Sequence, residues 1–198
     1  MKKLMMTVCA MFALSAMAKD VYVDDDNYNE SYADSAAYIA AGYDGTTPEK
    51  AFGTIQDAIE ASTTVANDTI LVCPGIYDKG GRKLSWSGTD NAGYCRVLAT
   101  KKLTIKSTEG ASKTHIVGSA ADSASGTPPY RCFGQYNNTT TLIDFTLRDG
   151  HTTRDDTSRD WYNRDRGGAV LTGLAGNSAP TYLVDCVVSN CVSPTGER

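Results

Sequence analysis

Two segments of the chain spell the same pattern. Leu142-Ile143-Asp144-Phe145-Thr146-Leu147-Arg148-Asp149-Gly150 and Leu183-Val184-Asp185-Cys186-Val187-Val188-Ser189-Asn190-Cys191 agree over eight positions. Each reads two aliphatics, Asp, a core residue, a β-branched residue, an aliphatic, a polar residue, then Asp or Asn. A charged insertion, residues 151–166, separates the copies; without it the period is about 25 residues, in the range of stacked repeat architectures. Short strands at a fixed period, with turns and no helices between them, describe an all-β solenoid of the parallel β-helix type better than a sandwich. A repeat of this kind buries its inner residues only by stacking on its neighbour, so its first coil needs a cover.

The stretch from Thr54 to Tyr77 supplies one. Ile55, Ala58, Ile59 and Ser62 fall at helical spacing and make one face apolar or small. Thr54 is placed to cap this helix, and Asp57 stands three residues on, close to a capping box. Phe52 is positioned as a staple against the helix start. The helix is expected over 54–66, ended by Asn67-Asp68. Thr69-Ile70-Leu71-Val72-Cys73 is then a continuous apolar run, the pattern of a strand covered on both faces, and Pro74-Gly75 ends it as a turn. Further strands are expected at Cys95-Arg96-Val97-Leu98, Leu103-Thr104-Ile105 and His115-Ile116-Val117, with no helix after Val65.

The chain has 198 residues, enough for one domain. Its 18 glycines and 11 tyrosines suit many turns and strands. A net charge of -4 leaves no basic footprint, which argues against nucleic acid as a partner. Lys2-Lys3, the apolar run from Leu4 to Ala16 and the small-x-small site Ala16-Met17-Ala18 read as a cleavable signal peptide over 1–18. The expected location is therefore outside the cytoplasm, secreted or on a bacterial cell surface. No later stretch is long and apolar enough to insert in a membrane. Residues 19–53 are expected to be extended or loop, and 67–198 to be coils. The chain stops at Pro194 to Arg198, directly after a coil strand and with no closing cap, so the expectation is the beginning of a longer protein.

Five cysteines follow the leader: Cys73, Cys95, Cys132, Cys186 and Cys191. An odd number leaves at least one unpaired within the chain. Small buried core residues are one reading. A Cys95–Cys132 disulfide is the other, since both lie beside strand-like runs. No CxxC spacing and only 2 histidines argue against zinc.

The turn into A-F-G-T-I-Q-D-A-I, then D-T-I-L-V-x-P-G-I-Y, K-L-T-I-K-S-T-E-G and a later R-C-F, resembles the N-terminal part of the pectin-lyase-like right-handed parallel β-helix superfamily, over about Val23 to Cys191. The resemblance implies a right-handed β-helix with an N-terminal capping helix and three-sheet coils. It implies polysaccharide as the partner, and a pectate-lyase-like carbohydrate-active enzyme as one function. The superfamily also holds pectin methylesterases, polygalacturonases, phage tailspikes and non-catalytic surface proteins, so fold alone does not choose. Neither the Gln and Asp set of the methylesterases nor the calcium-holding aspartates and basic residue of the lyases aligns here. Gly167-Gly168-Ala169-Val170 resembles the GGA-aliphatic repeat of chlamydial polymorphic outer-membrane proteins, which keeps a non-catalytic, adhesin-like scaffold as the alternative.

Three places could carry chemistry. The insertion holds Arg159, Trp161, Tyr162, Arg164, Asp165 and Arg166. Aromatic faces stack on sugar C–H surface, and guanidinium forks hold hydroxyls or carboxylates. The other reading is a loop that satisfies its own charges. Asp144 and Asp185 hold equal places in successive coils, where they either share a cation or form a backbone-bonding ladder at a turn. The sequence asks for no cofactor, with calcium the one ion that suits the acidic run Asp24-Asp25-Asp26-Asn27; the alternative there is a solvated acidic turn. His115 and His151 have no evident partner in the sequence.

Overall fold

A computed structural model describes residues 17–84, 93–136, 138–152, 167–174 and 179–193. Residues 1–16 of the expected leader, Trp86, and the insertion from 153 to 166 lie outside these. The described chain is mostly β-strand with few helices. In order it forms β1 (Asp20–Val23), α1 (Ser35–Ala40), α2 (Ile55–Glu60), β2 (Thr69–Val72), β3 (Gly75–Tyr77), β4 (Arg82–Lys83), β5 (Tyr94–Ala99), β6 (Leu103–Ser107) and β7 (Thr114–Val117). It continues with β8 (Tyr130–Tyr136), β9 (Thr140–Ile143), β10 (Thr146–Arg148), β11 (Val170–Leu174), β12 (Thr181–Val184) and β13 (Val187–Ser189).

The strands make three sheets, ordered β1-β2-β6-β9-β12, β3-β7-β10-β13 and β4-β5-β8-β11. Every pairing is parallel except β4 with β5. From β2 onward the chain visits the first, second and third sheets in unbroken cyclic order. Parallel neighbours need crossovers, and here each crossover runs through the other two sheets.

Side chains line up across this register. In the first sheet Val21, Ile70, Ile105 and Leu142 stand opposite one another and all are buried. Tyr77, Ile116 and Leu147 do the same in the second sheet, Val97 and Phe133 in the third. The three inward rows form one core. The two copies of the repeat lie directly on each other, Leu142 opposite Leu183 and Thr146 opposite Val187. The third sheet is covered on its outer face too, where Leu84, Cys95, Leu98 and Leu171 form a satellite cluster.

Helix α2 is shorter than its apolar spacing suggests. Its start matches the expectation: the Thr54 hydroxyl accepts from Asp57 N–H at 3.0 Å and donates to the Asp57 carboxylate at 2.6 Å. Its end comes at Glu60, because Ala61 turns to extended ψ and the β-branched run Thr63-Thr64-Val65 does not continue it. Lys101 then takes the loose carbonyls: its ammonium donates to Ile59, Ala61 and Thr64 oxygens at 2.7, 3.1 and 2.8 Å. Residues 19–53 are not simply extended. They hold α1, capped by Asp34 through Ala37 N–H at 2.9 Å, and two 3-10 turns at Asp25–Asn27 and Pro48–Lys50. Tyr38 of α1 is fully buried against Tyr32, Tyr43 and Phe52.

Gln56 ties α2 to the third sheet. Its side-chain oxygen accepts from Leu98 N–H at 2.8 Å, and its amide faces the Leu98 carbonyl at 3.4 Å. The glutamine of the T-I-Q phrase thus acts as a strand partner for a buried backbone. Gln56→Leu leaves that N–H unpaired and is expected to cost about 1–3 kcal/mol in urea unfolding. A change within about 0.5 kcal/mol would show the bond to be dispensable.

Candidate functional surface on the second sheet

Strand alternation sends Tyr77, Ile116 and Leu147 inward, which leaves Ile76, His115, Thr146 and Arg148 on the outer face of the second sheet. Ile76 stands opposite His115, and His115 opposite Thr146. Arg148 Nε donates to His115 Nδ1 at 3.1 Å. The Arg148 Nη1 group donates to Asp149 Oδ2 at 2.5 Å, and Asn190 Nδ2 donates to Asp149 Oδ1 at 2.5 Å. His115 Nε2 lies 3.3 Å from the Ser112 carbonyl, so a neutral ring protonated on Nε2 satisfies both of its contacts. The row His115, Arg148, Asp149, Asn190 therefore crosses three neighbouring strands. The Asn190 amide, with Arg148 second, holds the Asp149 carboxyl below its ordinary value. Arg148 and Asp149 remain about one-third exposed, 32% and 31%, so the pair contributes little to stability and stays accessible from solvent.

Asp149 and Asn190 occupy the corner that ends β10 and β13, with φ of 58° and 48°. Asp and Asn tolerate this left-handed region better than other side chains. From this corner the chain runs through Gly150, His151 and Thr152 into the insertion and returns at Gly167. Arg159, Trp161, Tyr162, Arg164, Asp165 and Arg166 lie outside the described residues.

At the other edge of the sheet, the P-G-I-Y turn meets the acidic run. Ile76 N–H donates to Asp25 Oδ2 at 2.8 Å. A side chain at Gly75 would place its Cβ 2.0 Å from Asp25 Oδ1, so only glycine allows this approach. Tyr77 is buried, and its hydroxyl donates to the Cys73 carbonyl at 2.8 Å. Ile76 and Tyr28 stay exposed at 53% and 39% and border a cavity of about 170 Å³ that also touches Asp78 and Lys79. Asp24, Asp25 and Asp26 each bring a carboxylate oxygen within 4.8 Å of the others. Asp25 spends one oxygen on Ile76, and Asp24 caps Asp26 N–H at 3.2 Å. Burial, ahead of the neighbouring carboxylates, pushes the Asp25 carboxyl up. A second cavity, about 350 Å³, lies between α2 and β4 and is lined by Glu30, Asp34, Asp57, Glu60 and Arg82.

The other candidates fall elsewhere. Asp144 and Asp185 sit at the equivalent corners between β9 and β10 and between β12 and β13, with φ of 67° and 51°. Cys95 and Cys132 do not form the expected pair; both are free. Cys95 stands opposite Arg131, joins the outer cluster and lies against Gly134, whereas Cys132 belongs to the inner core. Two cysteines on opposite sides of a sheet cannot bond without moving the backbone. His115, which has no evident partner in the sequence, finds one in Arg148; Arg148, Asp149 and Asn190 carry no sequence signal beyond the alignment of Arg148-Asp149 with Ser189-Asn190 in the repeat.

No family model matches the chain, and no curated protein matches it. Among solved structures the chain is similar to pectin methylesterase PemA from Erwinia chrysanthemi, with 16% identity, a TM-score of 0.44, and coverage of 88% of this chain and 47% of that one. It is also similar to a pectin methylesterase in complex with a hexasaccharide, with 17% identity, a TM-score of 0.40, and coverage of 70% of this chain and 42% of that one. The chain thus spans less than half the length of these structures. Among the described residues, no helix is long and apolar enough to cross a membrane.

Proposed function

We propose that this is an exported right-handed parallel β-helix, closed at its first circuit by α2, that engages polysaccharide on the outer face of its second sheet. The cyclic order of the three parallel sheets and the full burial of Ala58 and Ile59 support the architecture. The observation that carries the binding surface is the row His115, Arg148, Asp149 and Asn190, which crosses successive strands in register with exposed Ile76, beside the cavity that Ile76 shares with Tyr28. Apolar and aromatic patches take the C–H faces of sugar rings, and charge-assisted groups take hydroxyls. The acidic cavity beside α2 suits a polyuronate poorly, because like charges repel.

Affinity electrophoresis tests this with polygalacturonate, methyl-esterified pectin and a neutral glucan, each with calcium and with chelator. Arg148→Ala and Trp161→Ala are expected to weaken retention about tenfold, the loss of one charge-assisted or stacking contact, with melting unchanged. If melting falls with retention, these side chains belong to the fold rather than the surface. Following unsaturated product in the ultraviolet, and methanol release from pectin, separates lyase and esterase activity from binding alone. No retention by any of the polymers, in either calcium condition, would favour the non-catalytic display scaffold.

A further inference from the structure

Two of the five free cysteines among the described residues meet. Cys132 Sγ and Cys191 Sγ are 4.0 Å apart, although the residues are separated by 59 positions. Cys132 lies in β8 and is fully buried, with its sulfur 3.2 Å from the Arg148 carbonyl oxygen. Cys191 follows β13 and is partly exposed. The sulfurs reach each other because Gly150 stands between their strands without a side chain. A Cβ there would lie 2.9 Å from Cys132 Sγ and 2.1 Å from the Gly168 carbonyl oxygen. The Gly150 N–H in turn donates to Cys191 Sγ at 3.4 Å.

We propose that Cys132 and Cys191 are a disulfide-forming pair, which a low-molecular-weight disulfide oxidises to a covalent staple between β8 and the corner after β13. Exposure sets the order of steps. The Cys191 thiolate attacks one sulfur of the small disulfide, forming a mixed disulfide and releasing one thiolate. Cys132 then attacks the Cys191 sulfur, its proton passes to the departing second thiolate, and the protein disulfide closes. Two protein thiols are oxidised, one small disulfide is reduced to two thiols, and nothing else is consumed. Closing from 4.0 Å to the usual length of about 2.05 Å asks each sulfur to move about 1 Å. The Cys132 S–H beside it holds the Cys191 thiol below the ordinary range, which favours the nucleophile at the exposed position. Burial pushes the Cys95 and Cys186 thiols up, so they compete poorly.

The test is independent of the polysaccharide reading. The reduced full chain is incubated with oxidised glutathione, and non-reducing peptide mapping and intact mass are measured. The expected product has lost two hydrogens, links the Cys132 and Cys191 peptides, and melts roughly 5–10 °C higher than the reduced protein. Cys132→Ser is expected to stop at a glutathione adduct on Cys191, and Cys191→Ser to give neither product at Cys132. A wild-type chain that keeps glutathione on Cys191 without losing it, or that links either cysteine to a different one, overturns the proposal.

Discussion

Ile59→Asp is expected to abolish the cooperative melting of the described fold and to drive the protein into aggregates. Ile59 is fully buried on the face of α2 that packs against β1, β2 and β5. Losing the isoleucine gives up about 2 kcal/mol of apolar burial. The carboxylate adds several kcal/mol more, because the side chain at position 59 is fully buried, Lys101 is already engaged with three backbone carbonyls including that of Ile59, and burial of an unpaired charge is costly. A total of about 5 kcal/mol matches the whole stability of many domains. Val65→Asp is the control: Val65 is 37% exposed, and the change there is expected to stay within about 0.5 kcal/mol. Size-exclusion chromatography and thermal melting check both. A soluble, monomeric Ile59→Asp protein with unchanged melting would overturn the proposal that α2 closes the first circuit.

Gly150→Ala is expected to destabilise by about 3 kcal/mol and to block oxidation of the Cys132–Cys191 pair. The added methyl meets a backbone oxygen at 2.1 Å and a buried sulfur at 2.9 Å, and neither is the free end of a flexible side chain. Gly110→Ala and Gly126→Ala separate packing from backbone effects. Nothing lies within 4 Å of a Cβ at either site, but both glycines have positive φ, +94° and +71°. Those variants carry only the backbone cost, about 1 kcal/mol. Urea unfolding ranks the three. A Gly150→Ala variant no less stable than the two controls would show that the corner has room the structure does not display.

Much of the fold was readable because its determinants are local or periodic. The Thr54 cap uses Asp57 three residues away, and the strand at Thr69–Val72 is a continuous apolar run. The repeat aligned the residues that later stack, Leu142 on Leu183 and Thr146 on Val187. Helix α1 is equally local, with Asp34 before Ser35-Ala36-Ala37, but the stretch lacks a strong apolar stripe to mark it. The Cys95–Cys132 expectation failed for a different reason. Proximity to a strand does not say which face a side chain takes, and here one cysteine turned outward and the other inward.

The sequence by itself determined where the main apolar strands run and turn, how α2 starts, and that two segments stack as equivalents. Each of these follows from side-chain periodicity or from groups within a few residues of one another. Only the tertiary structure decided that Gln56 pairs with Leu98, that His115 and Arg148 meet Asp149 and Asn190, and that Cys132 touches Cys191. Apart from the neighbours Arg148 and Asp149, these partners lie 33 or more positions apart in the chain. Their meeting depends on how loops of unequal length bring each strand into register, and outward polar groups carry no hydrophobic pattern that would mark the match in advance.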